Sequence, residues 1–405
     1  MRQDGDNKWL FICHVDKPRN EAIAWNERWD IKIKGEYQAV CYDTMDGKIY
    51  PVKAAIKDGN TIIHHIASLH DSLLLKLLAI ENSKKADSVN AVDNVAKEEV
   101  FKIPQNQKNL PEPFQYRLEE HNSLLLDMAQ YAFDEEEWQE REELLRIDNL
   151  FREKLHYPLR MEALAQPWTE KDEQKSEHVL KLRFHIYSEV EMNEVELAME
   201  HPETAEICWN GEALEYIDSG FYVDESIRTC KLKKLQKGEN TLFVKIPFGR
   251  KTNVEWMYLL GEFGVKTIGK YGIITNLPAR LCYGDITTQN LAFYGGSLEY
   301  KSKVSTEAGI MNLEVSHYKG ALLEVFLDGE NKGSLFMAPY RKNLGKVEKG
   351  EHEITIKVYG NRSNTFGVVH NADRTESWYG PNLWRTTGNK WSYEYQLEQM
   401  GVLET

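Results

Sequence analysis

The sequence predicts a mainly β protein: an antiparallel β-sandwich at the amino terminus, a short helical connector, and two further sandwiches in tandem. Three observations lead there. Short segments of alternating polar and apolar residues recur at roughly 8- to 12-residue spacing, separated by turn residues, as in antiparallel sandwiches. The stretch Leu322 to Asn364 has an earlier counterpart at Ala205 to Phe248, about 110 to 120 residues upstream, too far for the 20 to 50 residues of a solenoid repeat. No eightfold alternation of strand and helix is present from which a (β/α)8 barrel could be built.

At the amino terminus the predicted strands are Trp9 to Val15, Trp29 to Ile33, Tyr37 to Tyr42, Ile49 to Ile56, Thr61 to Ile66 and Ser72 to Leu78, with a hairpin turn over Asp43 to Gly47. Glu81 to Glu99 is polar and charged and reads as an exposed linker. After Pro111 and Pro113 comes a strand or two, then a helix over Glu135 to Leu155. Leu144, Ile147, Phe151 and Leu155 share one helical face, and Asp134 with Glu137 suits an N-terminal cap. From Val179 the alternation resumes and runs into the first repeat copy, and VEWMYLLGEFGV reads as a strand pair.

In the second copy, Leu322 to Leu327 ends at Asp328-Gly329, the positive-φ dipeptide of a tight hairpin. Lys349-Gly350-Glu351 makes the next turn, and Ile354, Ile356 and Val358 then fall on one face that should be buried. The copies match as EICWNGEAL to LEVFLDGEN and LQKGENTLFVKIPF to VEKGEHEITIKVYG, and a last strand, Trp391 to Leu397, is expected to close the sheet.

These residues resemble the galactose-binding-like jelly rolls attached to large glycoside hydrolases, in which an Asn-Gly or Asp-Gly turn precedes a Lys-Gly-Glu-Asn segment that opens a long strand. The resemblance implies an antiparallel β-sandwich (1–110), a strand and helical connector (111–168), and two tandem galactose-binding-like jelly rolls (169–280 and 281–405). The motif order widens it. NSLLLDMAQY, a charged helix, AQPW, GFYVDESI, LLGEFGV, GDITTQNLAFYGGSLEY, the second repeat and WYGPNLWRTTGNKWSYEYQLEQMGVL follow one another as in the carboxyl-terminal half of large bacterial α-L-rhamnosidase-like glycoside hydrolases. In that group a catalytic (β/α)8 barrel precedes the part seen here. The resemblance therefore carries over no catalytic residue, and implies an accessory region that is either a fragment or the separate partner of such a barrel; the alternatives are a glycoside hydrolase acting through carboxylates at a domain interface and a structural or protein-interaction module.

The chain has 405 residues, 41% hydrophobic content and a formal net charge of −14, which suits globular folding and argues against nucleic acid or an anionic membrane as partner. Neutral sugars are compatible with that charge. The five cysteines are widely spaced with no CxxC pair, so they read as free thiols, without a disulfide framework or zinc site. Without a signal-peptide layout or an 18-residue apolar run, the expectation is a cytoplasmic protein.

Chemistry is sparse. HExxH, GxSxG, GxxxxGK[ST] and GxGxxG are absent. His64, His65 and His70 cluster, but adjacent strand histidines point to opposite faces. Cofactors are not expected; loop oxygens leave room for a structural calcium, with no legible ligand loop. Asp224, Glu225, Glu255, Glu262, Asp285 and Glu376 have apolar or aromatic neighbours; capping of turn amides is their expected role, ahead of the paired-carboxylate chemistry of a glycosidase. For sugar binding the candidates are Trp378, Tyr379, Trp384 and Arg385 in a Gly/Pro/Asn-rich loop, with Asn364, His370 and Arg341 as hydroxyl partners. Tyr222 and Phe293-Tyr294 are further aromatics of the same kind. The competing role for all of them is packing between modules.

Overall fold

The computed structural model describes residues 1–5, 7–15, 26–45, 47–80, 107–160, 176–373, 375 and 380–404, and among them buried apolar side chains gather in three cores. The first core belongs to the amino-terminal sandwich. One sheet runs β1 (Arg2–Asp4), β2 (Asn7–Cys13), β8 (Ser72–Ala79), β4 (Tyr37–Tyr42) and β5 (Ile49–Val52); the other runs β3 (Asn26–Lys34), β7 (Asn60–Ser68) and β6 (Ala54–Lys57). Leu73, Leu75 and Leu77 alternate inward along β8 to meet Ile33 and Ile63 from the other sheet. The single strand expected over Ile49 to Ile56 is divided, because Ile49–Val52 pairs with β4 and Ala54–Lys57 with β7. The chain changes sheets at Lys53.

The central sandwich holds one sheet of β10 (Asn122–Leu126), β20 (Met257–Gly261), β14 (Val195–Glu200), β18 (Asp224–Lys231) and β17 (Asp218–Tyr222). Opposite lie β12 (Gln139–Glu143), β11 (Met128–Phe133), β13 (His178–Ser188), β19 (Gly238–Phe248), β15 (Glu206–Trp209) and β16 (Glu212–Leu214), extended by β21 (Gly264–Ile268) and β22 (Tyr271–Thr275). The carboxyl-terminal sandwich has a main sheet of β27 (Glu330–Leu335), β26 (Leu322–Leu327), β29 (Gly350–Tyr359), β23 (Leu298–Thr306) and β9 (Gln115–Leu118). Two short ladders complete it, β24 (Gly309–Glu314) with β28 (Arg341–Val347) and β25 (His317–Lys319) with β30 (Gly401–Glu404). The protein is thus mainly β and built of antiparallel sheets, with one parallel pairing of strands, β13 with β22, among the described residues.

The internal repeat is a repeat of sheet order. In the central sandwich the hairpin β15–β16 lies against β19, which pairs with β13; in the carboxyl-terminal one the hairpin β26–β27 lies against β29, which pairs with β23. Both hairpins turn on two consecutive positive-φ residues, Asn210-Gly211 (52° and 84°) and Asp328-Gly329 (51° and 81°). The Asx residue does the same work in each copy. Asn210 Oδ1 accepts the Thr241 amide at 2.8 Å and Asp328 Oδ1 accepts the Glu353 amide at 2.8 Å, pinning the turn to the long strand beside it.

Residues after Pro111 do not form a free connector. β9 joins the carboxyl-terminal sheet beside β23, while β10 and β11 join the two central sheets, so the chain enters one sandwich, leaves to complete the other, and returns near residue 277. The expected helix begins later, at α1 (Leu144–Lys154). The acidic stretch before it pairs with β11 as edge strand β12, and Glu143 is the cap, accepting the Leu145 and Arg146 amides at 3.0 Å. Asp134 instead accepts the Val179 amide at 2.8 Å. Trp391 to Leu397 is not a strand; the last strand is β30, and the tail before it hydrogen bonds to residues 369–371 over the central core. No described helix is long and apolar enough to cross a membrane.

Candidate functional site

An open cleft of about 890 Å³ lies where the chain passes between the central and carboxyl-terminal sandwiches. Residues 119–121 carry the chain one way, and 277–279 carry it back. The two passages are tied together by Tyr116, whose hydroxyl donates to the Pro278 carbonyl at 2.6 Å. Burial pushes the Tyr116 phenol up to about 12, so it remains a donor at neutral pH. Opposite, the β17–β18 hairpin supplies Phe221, Tyr222 and Val223.

That hairpin is built to present apolar surface. Val223, a β-branched residue, occupies a left-handed conformation at φ 65°, a strained choice at a tight turn. Its consequence is that Phe221 and Val223 remain 53% and 46% exposed at the lip while Tyr222 points inward. Tyr222 is anchored by ring contacts to Tyr258 at 5.4 Å and Phe366 at 5.9 Å, and burial pushes its phenol up to about 12. The half-exposed Phe221 ring shares the lining of the cleft with Leu118 and Pro278.

Four glutamates line the same cleft: Glu119, Glu120, Glu196 and Glu262. Two are neutralised. Lys357 reaches Glu119 at 2.7 Å, and Arg362 grips Glu120 through both terminal nitrogens, one of them at 2.6 Å. Glu196 projects from β14 with Lys231 of β18 as its cross-strand neighbour, and Glu262 follows the end of β20; neither carboxylate forms a hydrogen bond or ion pair with another described side chain. Among the described residues no group of three or more His, Cys, Asp or Glu is placed to hold a metal ion.

Of the sugar-binding candidates among the described residues, Tyr222 lines this cleft and the others lie elsewhere. Trp384 donates its indole N–H to the Phe366 carbonyl at 2.9 Å and borders a separate cavity of about 70 Å³, room for waters and too little for a sugar ring. Arg385 donates to the Leu145 carbonyl at 2.8 Å. Asn364 is buried and clamps the Glu398 backbone, donating to its carbonyl at 2.7 Å and accepting its amide at 2.8 Å. Arg341 pairs with Glu314 at 2.8 Å on the β24–β28 ladder. Trp378, Tyr379 and Glu376 lie outside the described residues. Phe293 and Tyr294 are core residues, 0% and 1% exposed.

His370 belongs to a buried polar cluster beneath the tail. Its Nε2 lies 2.6 Å from Asp127 Oδ2, its Nδ1 faces the Ser392 carbonyl at 2.8 Å, and the Tyr395 hydroxyl donates to Asp127 at 2.8 Å. Burial opposes protonation of His370, yet the hydrogen bond and charge of Asp127 hold its pKa above the ordinary value. Glu143 completes the cluster. Burial pushes its carboxyl up to about 7, against the indole N–H of Trp256 at 2.6 Å and the capped amides. This cluster fastens the tail to the central sandwich.

The remaining nominated carboxylates divide. Asp224 accepts the Ser226 amide and hydroxyl at 2.8 and 2.7 Å, and Asp285 accepts the Thr287 and Met400 amides at 3.0 and 3.2 Å, both as turn caps. Glu225 is exposed. Burial and the neighbouring Glu200 push Glu255 up to about 7, among the arginines Arg160 and Arg385. His64 pairs with Asp30 and His65 with Asp71 at 2.9 Å, on opposite faces of β7. Sequence reasoning missed Asn122, Glu120 and Phe221; the aromatic GFYV turn was the one local signal for the last.

The fold and cleft define a class: a multi-sandwich antiparallel β protein with a concave, partly aromatic groove at a module junction. No protein-family model matches the chain, and no curated protein matches it. Among solved structures it is similar to a rhamnosidase from Novosphingobium sp. PP1Y, with TM-score 0.33 and 11% identity over 99% of this chain and 22% of that one. It is also similar to a GH2 beta-galacturonidase from Eisenbergiella tayi, with TM-score 0.20 and 10% identity over 62% of this chain and 37% of that one. A putative beta-galactosidase from Bacteroides fragilis aligns with TM-score 0.17 and 13% identity over 62% of this chain and 36% of that one. These glycoside hydrolases are matched over part of their own length, and the chain spans 22% of the rhamnosidase.

Proposed function

We propose that the chain is a non-catalytic, carbohydrate-associated accessory region of a glycoside hydrolase, working beside a catalytic barrel on the same or a separate polypeptide, and that it holds glycan in the junction cleft. The observation that carries the reading is the cleft itself: about 890 Å³, with the half-exposed Phe221 ring at its lip, apolar walls from Leu118 and Pro278, and carboxylates within. Such a surface offers stacking to a sugar face and acceptors to its hydroxyls. The glycoside hydrolase setting comes from the order of motifs along the sequence.

A hydrolase acting through Glu196 and Glu262 is the second reading, favoured by the absence of ion-pair partners for either among the described residues. Incubating the pure chain with aryl glycosides, rhamnosides included, decides between the two. No turnover is expected; robust turnover that disappears in Glu262→Gln would establish the hydrolase instead.

A further inference from the structure

We propose that, independently of any glycan in the cleft, residues 367–373 and 383–397 form a strap that detaches from the central sandwich when His370 loses its proton, while both sandwiches stay folded. The strap lies between β29 and β30 of the carboxyl-terminal sandwich, and Asn364 clamps its base through the Glu398 amide and carbonyl. Its two passages hydrogen bond to each other, Ser392 N–H to the His370 carbonyl at 2.9 Å and Gln396 N–H to the Val369 carbonyl at 2.7 Å. Among the described residues no backbone–backbone hydrogen bond joins it to the central sheets, so lifting it breaks no ladder. Side chains hold it down: Arg385 on the Leu145 carbonyl, Tyr393 on Glu142, Tyr395 on Asp127, and the His370–Asp127 pair, whose side chains are 3% and 1% exposed.

Both ring nitrogens of His370 face acceptors, Asp127 Oδ2 at 2.6 Å and the Ser392 carbonyl at 2.8 Å. Each contact needs a proton between its atoms, and a neutral imidazole supplies one. Loss of the second sets lone pair against lone pair and leaves the Asp127 carboxylate buried with the Tyr395 hydroxyl as its one side-chain donor among the described residues. The surrounding charges pull both ways. Asp127, before β11, and Glu143, at the head of α1, favour the charged ring, and they prevail over its burial. Arg146 of α1 opposes it, covering the Trp391 ring that stacks on His370, but is paired with Glu142 at 3.2 Å. Arg141 of β12 is engaged by the Met128 carbonyl at 3.2 Å, and Tyr258 of β20 is held neutral by burial.

Hydrogen exchange of the full chain read by mass spectrometry from pH 6 to pH 9, corrected for intrinsic rates, tests this. Amides of residues 369–372 and 390–396 should exchange through an opening that leaves β13 and β19 protected. Above pH 6.5 the opening constant should grow by up to tenfold per pH unit until the folded His370 has lost its proton. His370→Gln should open more at every pH and lose most of that growth, whereas Glu143→Gln, which removes the other titrating carboxyl of the cluster, should keep it. Asp127→Asn should move the growth to lower pH, and Tyr395→Phe should loosen the strap at every pH with the growth intact. Strap exchange that does not change with pH, an unreduced dependence in His370→Gln, or strap and core amides exchanging together at every pH overturns the proposal.

Discussion

Glu143 offers the sharpest quantitative handle on how the tail is held. Its carboxyl is 0% exposed and moves from an unfolded value of 4.5 to about 7 in the folded chain. At about 1.4 kcal/mol per tenfold change in proton affinity, that rise corresponds to about 3 kcal/mol. The sign follows from proton counting: between these values the folded state keeps a proton that the unfolded chain releases. Stability from this group is therefore greatest at and below about pH 4.5 and falls as pH climbs through about 7. His370 acts in the same direction, because its raised pKa gives stability that is complete below 6.5 and lost as pH rises through the folded value. Carboxylates held low by partners, such as Asp71 and Asp328, titrate below 3.8 and do not enter this window. Urea unfolding followed by tryptophan fluorescence should accordingly show stability dropping by about 3 kcal/mol or more between pH 5 and pH 8. Glu143→Gln removes one acceptor from the helix cap and Trp256, costing about 1–2 kcal/mol at pH 5, and should make the decline shallower, leaving the part that Glu255 and His370 contribute over the same range. A wild-type stability that stays level or increases over this range, or a variant with an unchanged slope, would refute the reasoning.

Asp127→Ala leaves His370 and the Tyr395 hydroxyl without their shared partner in a buried setting, so chemical denaturation should reveal a loss of about 3–5 kcal/mol, with Asp127→Asn milder. Phe221→Ala, at a half-exposed position, should change unfolding free energy by less than about 0.5 kcal/mol while weakening glycan affinity about 3- to 10-fold in calorimetry. Gly360→Ala would bring a Cβ to 2.0 Å from the Gly295 carbonyl oxygen, a backbone atom unable to move aside; thermal unfolding should fall by the equivalent of about 1–3 kcal/mol or more.

What the sequence discloses is what short-range chemistry determines. Asn210-Gly211 and Asp328-Gly329 are turns because only such dipeptides take positive φ twice in succession, and the strands that follow alternate because one face is buried. The inward set Ile354, Ile356 and Val358 is legible for the same reason. Pairings between distant segments are not. Nothing local in Gln115–Leu118 indicates that it will lie beside Leu298 to Lys301, and so the segment reads as a connector. Glu143 escapes notice because a glutamate cap is unusual and the acidic run before it mimics a helix start; pairing with β11 decides otherwise. The cleft is hidden for a related cause: its walls come from both chain passages and a hairpin far away in sequence, and Tyr222 is the one sugar-binding candidate among the described residues that falls within it. Trp384, Arg385 and Asn364 look like loop residues from composition, yet each spends its polar atoms on backbone groups under the tail.

The most direct test of a glycan-holding junction is an immobilised glycan array probed in parallel with the wild-type chain and Phe221→Ala at equal concentration. Retention of a defined set of saccharides by the wild type, lost or sharply reduced in the variant, is the predicted result. An array that retains neither protein, or retains both to the same extent, would contradict the assignment of the cleft.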